Sequence, residues 1–274
     1  MLRYPGGKWK IAPWIISHFP PHQFYVEPFG GGASVLLRKR RSHLEIYNDI
    51  DSDVVNVFRV IRDRVAVEKL KEMLRFTPYS REEYERAYEE CEDPIEKARR
   101  MIVRSFQGFG NTGTTRKSTG FRAGDRRDRG LSAPQQWKEY PDLLDGFARR
   151  LQGVTLENRP ALDVIKQNDS VGTLFYVDPP YVHSTRSDRG IRYSTELLDC
   201  DHIELAHLLN KLDGMVLLSG YRCDLYDDLY SDWACVSKNT IASGQNGGIR
   251  RTESLWISPK GEEANLPLFG VLND

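Results

Sequence analysis

Four cysteines in 274 residues (Cys91, Cys200, Cys223, Cys235) form no CxxC pair, and none stands at metal-ligand spacing from a histidine. That leaves no framework for a zinc site or a disulfide-stapled fold. A reducing cytosol suits such a chain best. No apolar run approaches the length of a membrane span, and the opening MLRYPGGKWK lacks the apolar core of a signal peptide. An excess of one charge is missing too: Lys+Arg 39 balance Asp+Glu 39. This excludes a uniformly basic surface but not a local basic stripe beside acidic helices. No internal repeat is present.

What remains is an ordinary globular composition, with 39% hydrophobic, 11% aromatic and 28% charged residues. It suits one large domain, or a core carrying a smaller insertion. Short apolar runs alternate with helical spacing at the start: FYVEPF, three glycines, SVLLRKR, HLEIYND, then DVVNVFRVIRDRV. This β-α-β-α rhythm predicts a parallel-rich sheet, with SVLLRKR as the first helix after the glycines. From Asn56 to Gly153 charged helical stretches take over, with Asp93-Pro94 as a helix start. A Gly/Thr/Arg-rich loop follows them, within Ser105 to Gly130. Strand-like sequence returns in VTLENR, TLFYV, MVLLSGY, ACVSKNTIA and TESLWIS. ELLDCDHIELAHLLNKLDG reads as an amphipathic helix stopped by Gly214, and the residues beyond Pro259 as a tail.

Chemistry concentrates where strands end. Asp178-Pro179-Pro180-Tyr181 follows TLFYV, at the carboxyl end of a buried strand, where open α/β sheets place their sites. On its own the motif can be a simple turn. Glu27-Pro28-Phe29-Gly30-Gly31-Gly32-Ala33 follows another strand. Its glycines allow close backbone approach. A dinucleotide fingerprint fails at Val35, where a third glycine is needed, and a P-loop fails at Trp9 after Gly6-Gly7-Lys8. Asp49, ending HLEIYND, suits either ribose hydroxyls or a helix N-cap.

The order Tyr4-Pro5-Gly6-Gly7-Lys8, Glu27 to Gly32, Asn48 to Asp53, a basic insertion and Asp178 to Tyr181 resembles the Dam-type (D12 class) DNA adenine-N6 methyltransferases over nearly the whole chain. The resemblance implies a Rossmann-like S-adenosylmethionine-dependent methyltransferase sheet built from residues 1–55 and 154–274. A mostly helical DNA-recognition domain, 56–153, would be inserted in it. It also implies roles. Tyr4, Lys8, Glu27, Phe29, Gly30, Gly32, Asp49, Asp163 and Asp178 would bind S-adenosylmethionine, and Asp178, Pro179, Pro180 and Tyr181 would form the catalytic motif.

The chemistry fits those residue types. The N6 lone pair of adenine is delocalised, so acceptors on its two hydrogens are needed to stabilise the charge that grows during methylation. Asp178 and the Pro179 carbonyl supply such acceptors, and Tyr181 a stacking face. The base would have to be flipped out of double-stranded DNA. Arg116, Lys117, Arg122, Arg126 and Arg127 in the insertion, and Arg250 and Arg251 near the end, suit phosphate contacts; a polar loop and a solvated hairpin are their bland alternatives. A cognate restriction enzyme is the partner such enzymes imply, and no metal is expected. The insertion departs from the enterobacterial pattern, so the recognition sequence does not carry over.

Rival chemistries fit less well. A cytosine-C5 enzyme needs a nucleophilic cysteine, usually after proline, and no cysteine here follows one. A cytosine-N4 enzyme shares the amine chemistry but more often has Ser at Asp178. An RNA or protein enzyme more often has NPPY. A non-catalytic DNA-binding relative would have lost one of these motifs.

Overall fold

Each of the apolar runs becomes a strand. The first two are β1, Phe24–Glu27, and β2, Leu44–Asn48; a short helix, α1 (Ala12–Ile16), precedes them. A helical stretch follows: α2 (Ser52–Arg62), α3 (Arg64–Phe76), α4 (Arg81–Arg86), α5 (Pro94–Gln107) and α6 (Ala133–Leu151). The chain then returns to the sheet through β3 (Val154–Glu157), α7 (Ala161–Gln167), β4 (Thr173–Val177), α8 (Asp199–Leu209), β5 (Met215–Gly220), α9 (Asp224–Leu229), β6 (Ala234–Gly244), β7 (Gly247–Ile257) and α10 (Pro259–Asn265). This computed structural model describes residues 2–109, 118, 120–123, 132–185, 196–244 and 247–265, without the side chains of 241–250.

The seven strands form one sheet in the order β3-β2-β1-β4-β5-β7-β6. The first five pair in parallel, and β7 runs antiparallel to both β5 and β6. Side chains alternate between the two faces of a strand, so a strand buried on both sides must be apolar throughout. That is the pattern of β4 and β5, where every residue is buried. Tyr25, Leu174, Tyr176 and Leu217 enter one core with α2, α3, α5 and α6. Val26, Phe175, Val177 and Leu218 enter a second core with residues of α7, α8 and α9. The result is a Rossmann-like three-layer α/β fold.

The helical stretch starts and stops where its sequence says. Asp51, Asp63, Ser80, Asp93 and Ser132 each accept a backbone N–H in the first turn of the helix that follows. Each such cap contributes about 1 kcal/mol. Pro94 occupies the first position of α5, as the sequence predicts. Position 56 lies inside α2, and the helices share their core with the sheet. Glu45 of β2 ties α6 down: it accepts from Lys39 Nζ (2.6 Å) and from both terminal nitrogens of Arg150 (2.6 and 2.8 Å). Against the cost of burial, these hydrogen bonds hold the Glu45 carboxylate below its ordinary pKa.

Three local expectations need correction. SVLLRKR forms turns rather than a helix. Ala33 sits in the left-handed region (φ 50°), and only turns follow, closed by Leu37 N–H to Ala33 O and by Arg38 and Lys39 N–H to Val35 O. Gly214 does not stop α8, which ends at Leu209. It is small because a β carbon there would stand 2.8 Å from the Phe175 ring. The expected tail beyond Pro259 begins as α10, whose Gly261 is buried and whose Asn265 Nδ2 donates to His18 O.

Candidate active site

Chain order reverses between β1 and β4, and the crevice at such a switch point is where open α/β sheets bind ligands. A cleft of about 280 Å³ opens there. Its walls come from the ends of three strands (Glu27 of β1, Asn48 of β2 and Asp49 just after it, Asp178 after β4), from the N-terminal segment Tyr4 to Lys8, and from α8.

The glycine loop after β1 is pressed against two tyrosines. A β carbon on Gly30 would lie 2.1 Å from Tyr47 Cε2. Gly31 has a left-handed φ of 47°, and a β carbon there would lie 2.7 Å from Tyr4 Cε1. Both positions therefore require glycine. Tyr47 OH donates to Gly31 O (2.7 Å), and Gly31 N–H donates to Asp49 Oδ2 (2.7 Å). Asn48 latches the neighbouring segments: its Nδ2 donates to Pro28 O and Arg159 O, and its Oδ1 accepts from Arg159 N–H.

Asp49 does not cap α2; Asp51 does. Asp49 instead lines the cleft and accepts from Gly31 and Asp51 N–H. Burial pushes its pKa up to about 6 against those hydrogen bonds. Glu27 behaves the same way more strongly. Burial, with the Asp178 charge adding to it, pushes it up to about 8, although Tyr25 OH (2.9 Å) and Leu36 N–H (3.0 Å) donate to its Oε2.

Asp178 stands 2.9 Å through Oδ1 from Lys8 Nζ, and the same oxygen accepts from Ser219 Oγ at 2.7 Å. Lys8 is buried; its ammonium also donates to Gly6 O and lies 4.8 Å from the centre of the Tyr181 ring. Tyr181 is fixed by its hydroxyl, which donates to Glu253 Oε2 (2.9 Å), and by an edge contact with Tyr221. Pro180 lines the cleft, whereas Pro179 and Tyr181 do not.

The structure thus brings together Tyr4, Lys8, Glu27, Phe29, Gly30, Gly32, Asp49 and Asp178. It leaves Asp163 exposed in the first turn of α7, where Ala161 and Leu162 face the cleft instead. Arg122 sits beyond α5, its N–H on Gln107 O, and Arg251 NH1 donates to Tyr221 OH. Arg116, Lys117, Arg126 and Arg127, and the side chain of Arg250, lie outside the described residues. Sequence reasoning missed Ser219, Tyr176, Glu253 and the α8 acids Asp201 and Glu204. Ser219 carried a usable signal: a hydroxyl at the end of the apolar run MVLL.

Sheet order and cleft position define a Rossmann-like methyltransferase. Residues 4–243 match the family described as D12 class N6 adenine-specific DNA methyltransferase, and the chain belongs to it. It is similar to the DNA adenine methylase of Escherichia coli (strain K12), 24% identical over 266 residues covering 91% of each chain. It is also similar to that of Salmonella typhi, 25% identical over 264 residues with the same coverage. The DNA adenine methylase of Serratia marcescens is 24% identical over 269 residues, 93% of this chain and 97% of that one. The chain is therefore a site-specific DNA methyltransferase that modifies adenine at N6, with DNA as substrate and a methyl donor as co-substrate. Among the described residues no helix is long and apolar enough to cross a membrane.

Proposed function

We propose that the methyl donor is S-adenosylmethionine, held in this cleft, and that the acceptor is an adenine flipped out of double-stranded DNA and methylated by direct transfer. One observation carries the reading. Lys8 is the only cation among the described lining residues, against Glu27, Asp49, Asp178, Asp201 and Glu204. A buried, acid-rich cleft favours a ligand that is itself cationic and rich in hydroxyls. When bound, S-adenosylmethionine supplies an electrophilic methyl on a sulfonium. Asp49, at the end of β2, holds its ribose; Tyr4 and Lys8 contact it; Glu27, Phe29 and the Gly30–Gly32 loop line its methionine end. Asp178 and the Pro179 carbonyl accept from the amine of the target base, drawing its lone pair toward the methyl. Tyr181 stacks on that base. None of the four cysteines lines the cleft, which fits transfer without a covalent enzyme intermediate.

Residues 56–153 are proposed to carry target recognition, with Arg116, Lys117, Arg122, Arg126 and Arg127 on the DNA and Arg250 and Arg251 approaching it from the β6–β7 hairpin. The enzyme is placed in the cytoplasm, where DNA is its substrate, with a cognate restriction enzyme as its functional partner.

The acids give a test. A cation docking beside Glu27 favours its ionised form, so a carboxyl that titrates near 8 loses its proton on binding at pH 7. Calorimetry in two buffers of different ionisation heat is expected to show net proton release at pH 7. The release should fade above about pH 9, where Glu27 is already ionised, and should shrink in Glu27→Gln. Proton uptake, or release unchanged in that variant, contradicts this placement of the donor.

A further inference from the structure

Ser219 lies at the end of β5, next to the β4 terminus that carries Asp178, and is 1% exposed. Its hydroxyl has one proton. Directed at Asp178 Oδ1, 2.7 Å away, that proton makes Ser219 the acceptor from Tyr176 OH at 3.2 Å. Tyr176 is buried on β4 beneath the motif, and its hydroxyl has no other hydrogen-bond partner among the described residues. The chain of donors therefore runs one way, from Tyr176 to Ser219 to Asp178 Oδ1. Lys8 Nζ forms an ion pair with the same oxygen at 2.9 Å. Oδ1 thus has one hydrogen-bond donor and an ammonium beside it, while Oδ2 has no hydrogen-bond partner among the described residues.

We infer that Ser219 is a positioning residue for the methyl transfer. With Lys8, it holds Oδ1 so that Oδ2 alone faces the target amine and accepts one of its hydrogens. The inference rests on the proposed role of Asp178. The Ser219 hydrogen bond from β5, acting with the Lys8 ion pair from the N-terminal segment, fixes the carboxylate's rotation, which a single ion pair to a long lysine would not. Tyr176 acts one step further back, by setting which way the Ser219 hydroxyl points.

The experiment is a double-mutant cycle read by single-turnover methylation, with affinity for S-adenosylmethionine measured in parallel. Ser219→Ala is expected to slow the methyl-transfer step on the order of tenfold or more, with cofactor and DNA affinities within about threefold. Tyr176→Phe, which preserves volume, should slow it less. The double variant should be no slower than Ser219→Ala, because Tyr176 works through Ser219. Melting temperatures check that each variant folds, and if Ser219→Ala does not fold, Tyr176→Phe alone carries the test. A transfer rate unchanged in both folded variants, or effects of the two that multiply, overturns the inference. If Asp178 variants are inactive while Ser219→Ala is normal, the positioning role fails and the role of Asp178 stands. If Asp178 variants are active, the underlying reading fails first.

Discussion

Asp178→Asn is expected to lower the rate of methyl transfer by on the order of 10²- to 10³-fold, the cost of removing one well-aimed group that stabilises developing charge. Binding of cofactor and DNA should change far less. The size of the loss depends on which way the amide sits. Ser219 Oγ donates to the δ1 position and the Lys8 ammonium stands 2.9 Å from it, so both select the orientation that puts the amide oxygen there. The NH₂ then occupies the δ2 position. There it meets an amine whose own hydrogens point at it, and an acceptor has been replaced by a donor. Asparagine preserves shape, so the loss measures the missing acceptor rather than a collapsed cleft. Asp178→Ala should be at least as inactive but would also leave Lys8 and Ser219 with no oxygen at the δ1 position, which confounds activity with stability. Single-turnover kinetics with equilibrium binding decide the matter. Transfer within a few-fold of the natural enzyme would remove Asp178 from the mechanism.

The second large effect lies in the glycine loop. Gly30→Ala places a β carbon 2.1 Å from Tyr47 Cε2 and 2.5 Å from Cδ2. Tyr47 cannot yield: it is fully buried, packs at 4.7 Å on the Phe58 ring and is hydrogen-bonded to Gly31 O. The loop must move instead, and with it the Gly31 N–H that holds Asp49. Overpacking of this kind costs about 1–3 kcal/mol, which lowers the melting temperature by several degrees for a chain of this size. Cofactor affinity should fall at least about tenfold, since the displaced backbone is the floor of the cleft. Gly146 in α6 is the control. A β carbon there meets nothing within 4 Å, so Gly146→Ala should be neutral or stabilising by up to about 1 kcal/mol. Equal behaviour of the two variants would contradict the close-packed loop.

The sheet was readable because its parallel strands are short, apolar and bounded by turn residues; each of the apolar runs named from sequence is a strand. Capping was legible for a similar reason, since Asp93-Pro94 admits few conformations other than a helix start. Failures came where tertiary packing overrode local pattern. SVLLRKR has helix-compatible residues, but Val35 and Leu36 are buried and the chain leaves Ala33 in a left-handed conformation, so only a turn forms. Gly214 looked like a helix stop because glycine commonly serves as one, yet its small size answers to a phenyl ring from another strand.

In the cleft, the acids at strand ends could be found from their positions, because a strand end fixes where the next side chain emerges. Asp49 and Asp51 could not be told apart in NDIDSD, where either could cap α2. Tyr176 looked like an unremarkable strand residue, and Ser219 was marked only as a hydroxyl at the end of MVLL. Their importance comes from β4 and β5 lying side by side, which no local pattern encodes.

The most direct test of the account is to incubate the purified protein with methyl-labelled S-adenosylmethionine and unmethylated double-stranded DNA, then digest the DNA and analyse its nucleosides by mass spectrometry. The account predicts labelled N6-methyladenine and no other labelled base. Label in N4-methylcytosine, or no labelled base from a protein that still binds the cofactor, would contradict it.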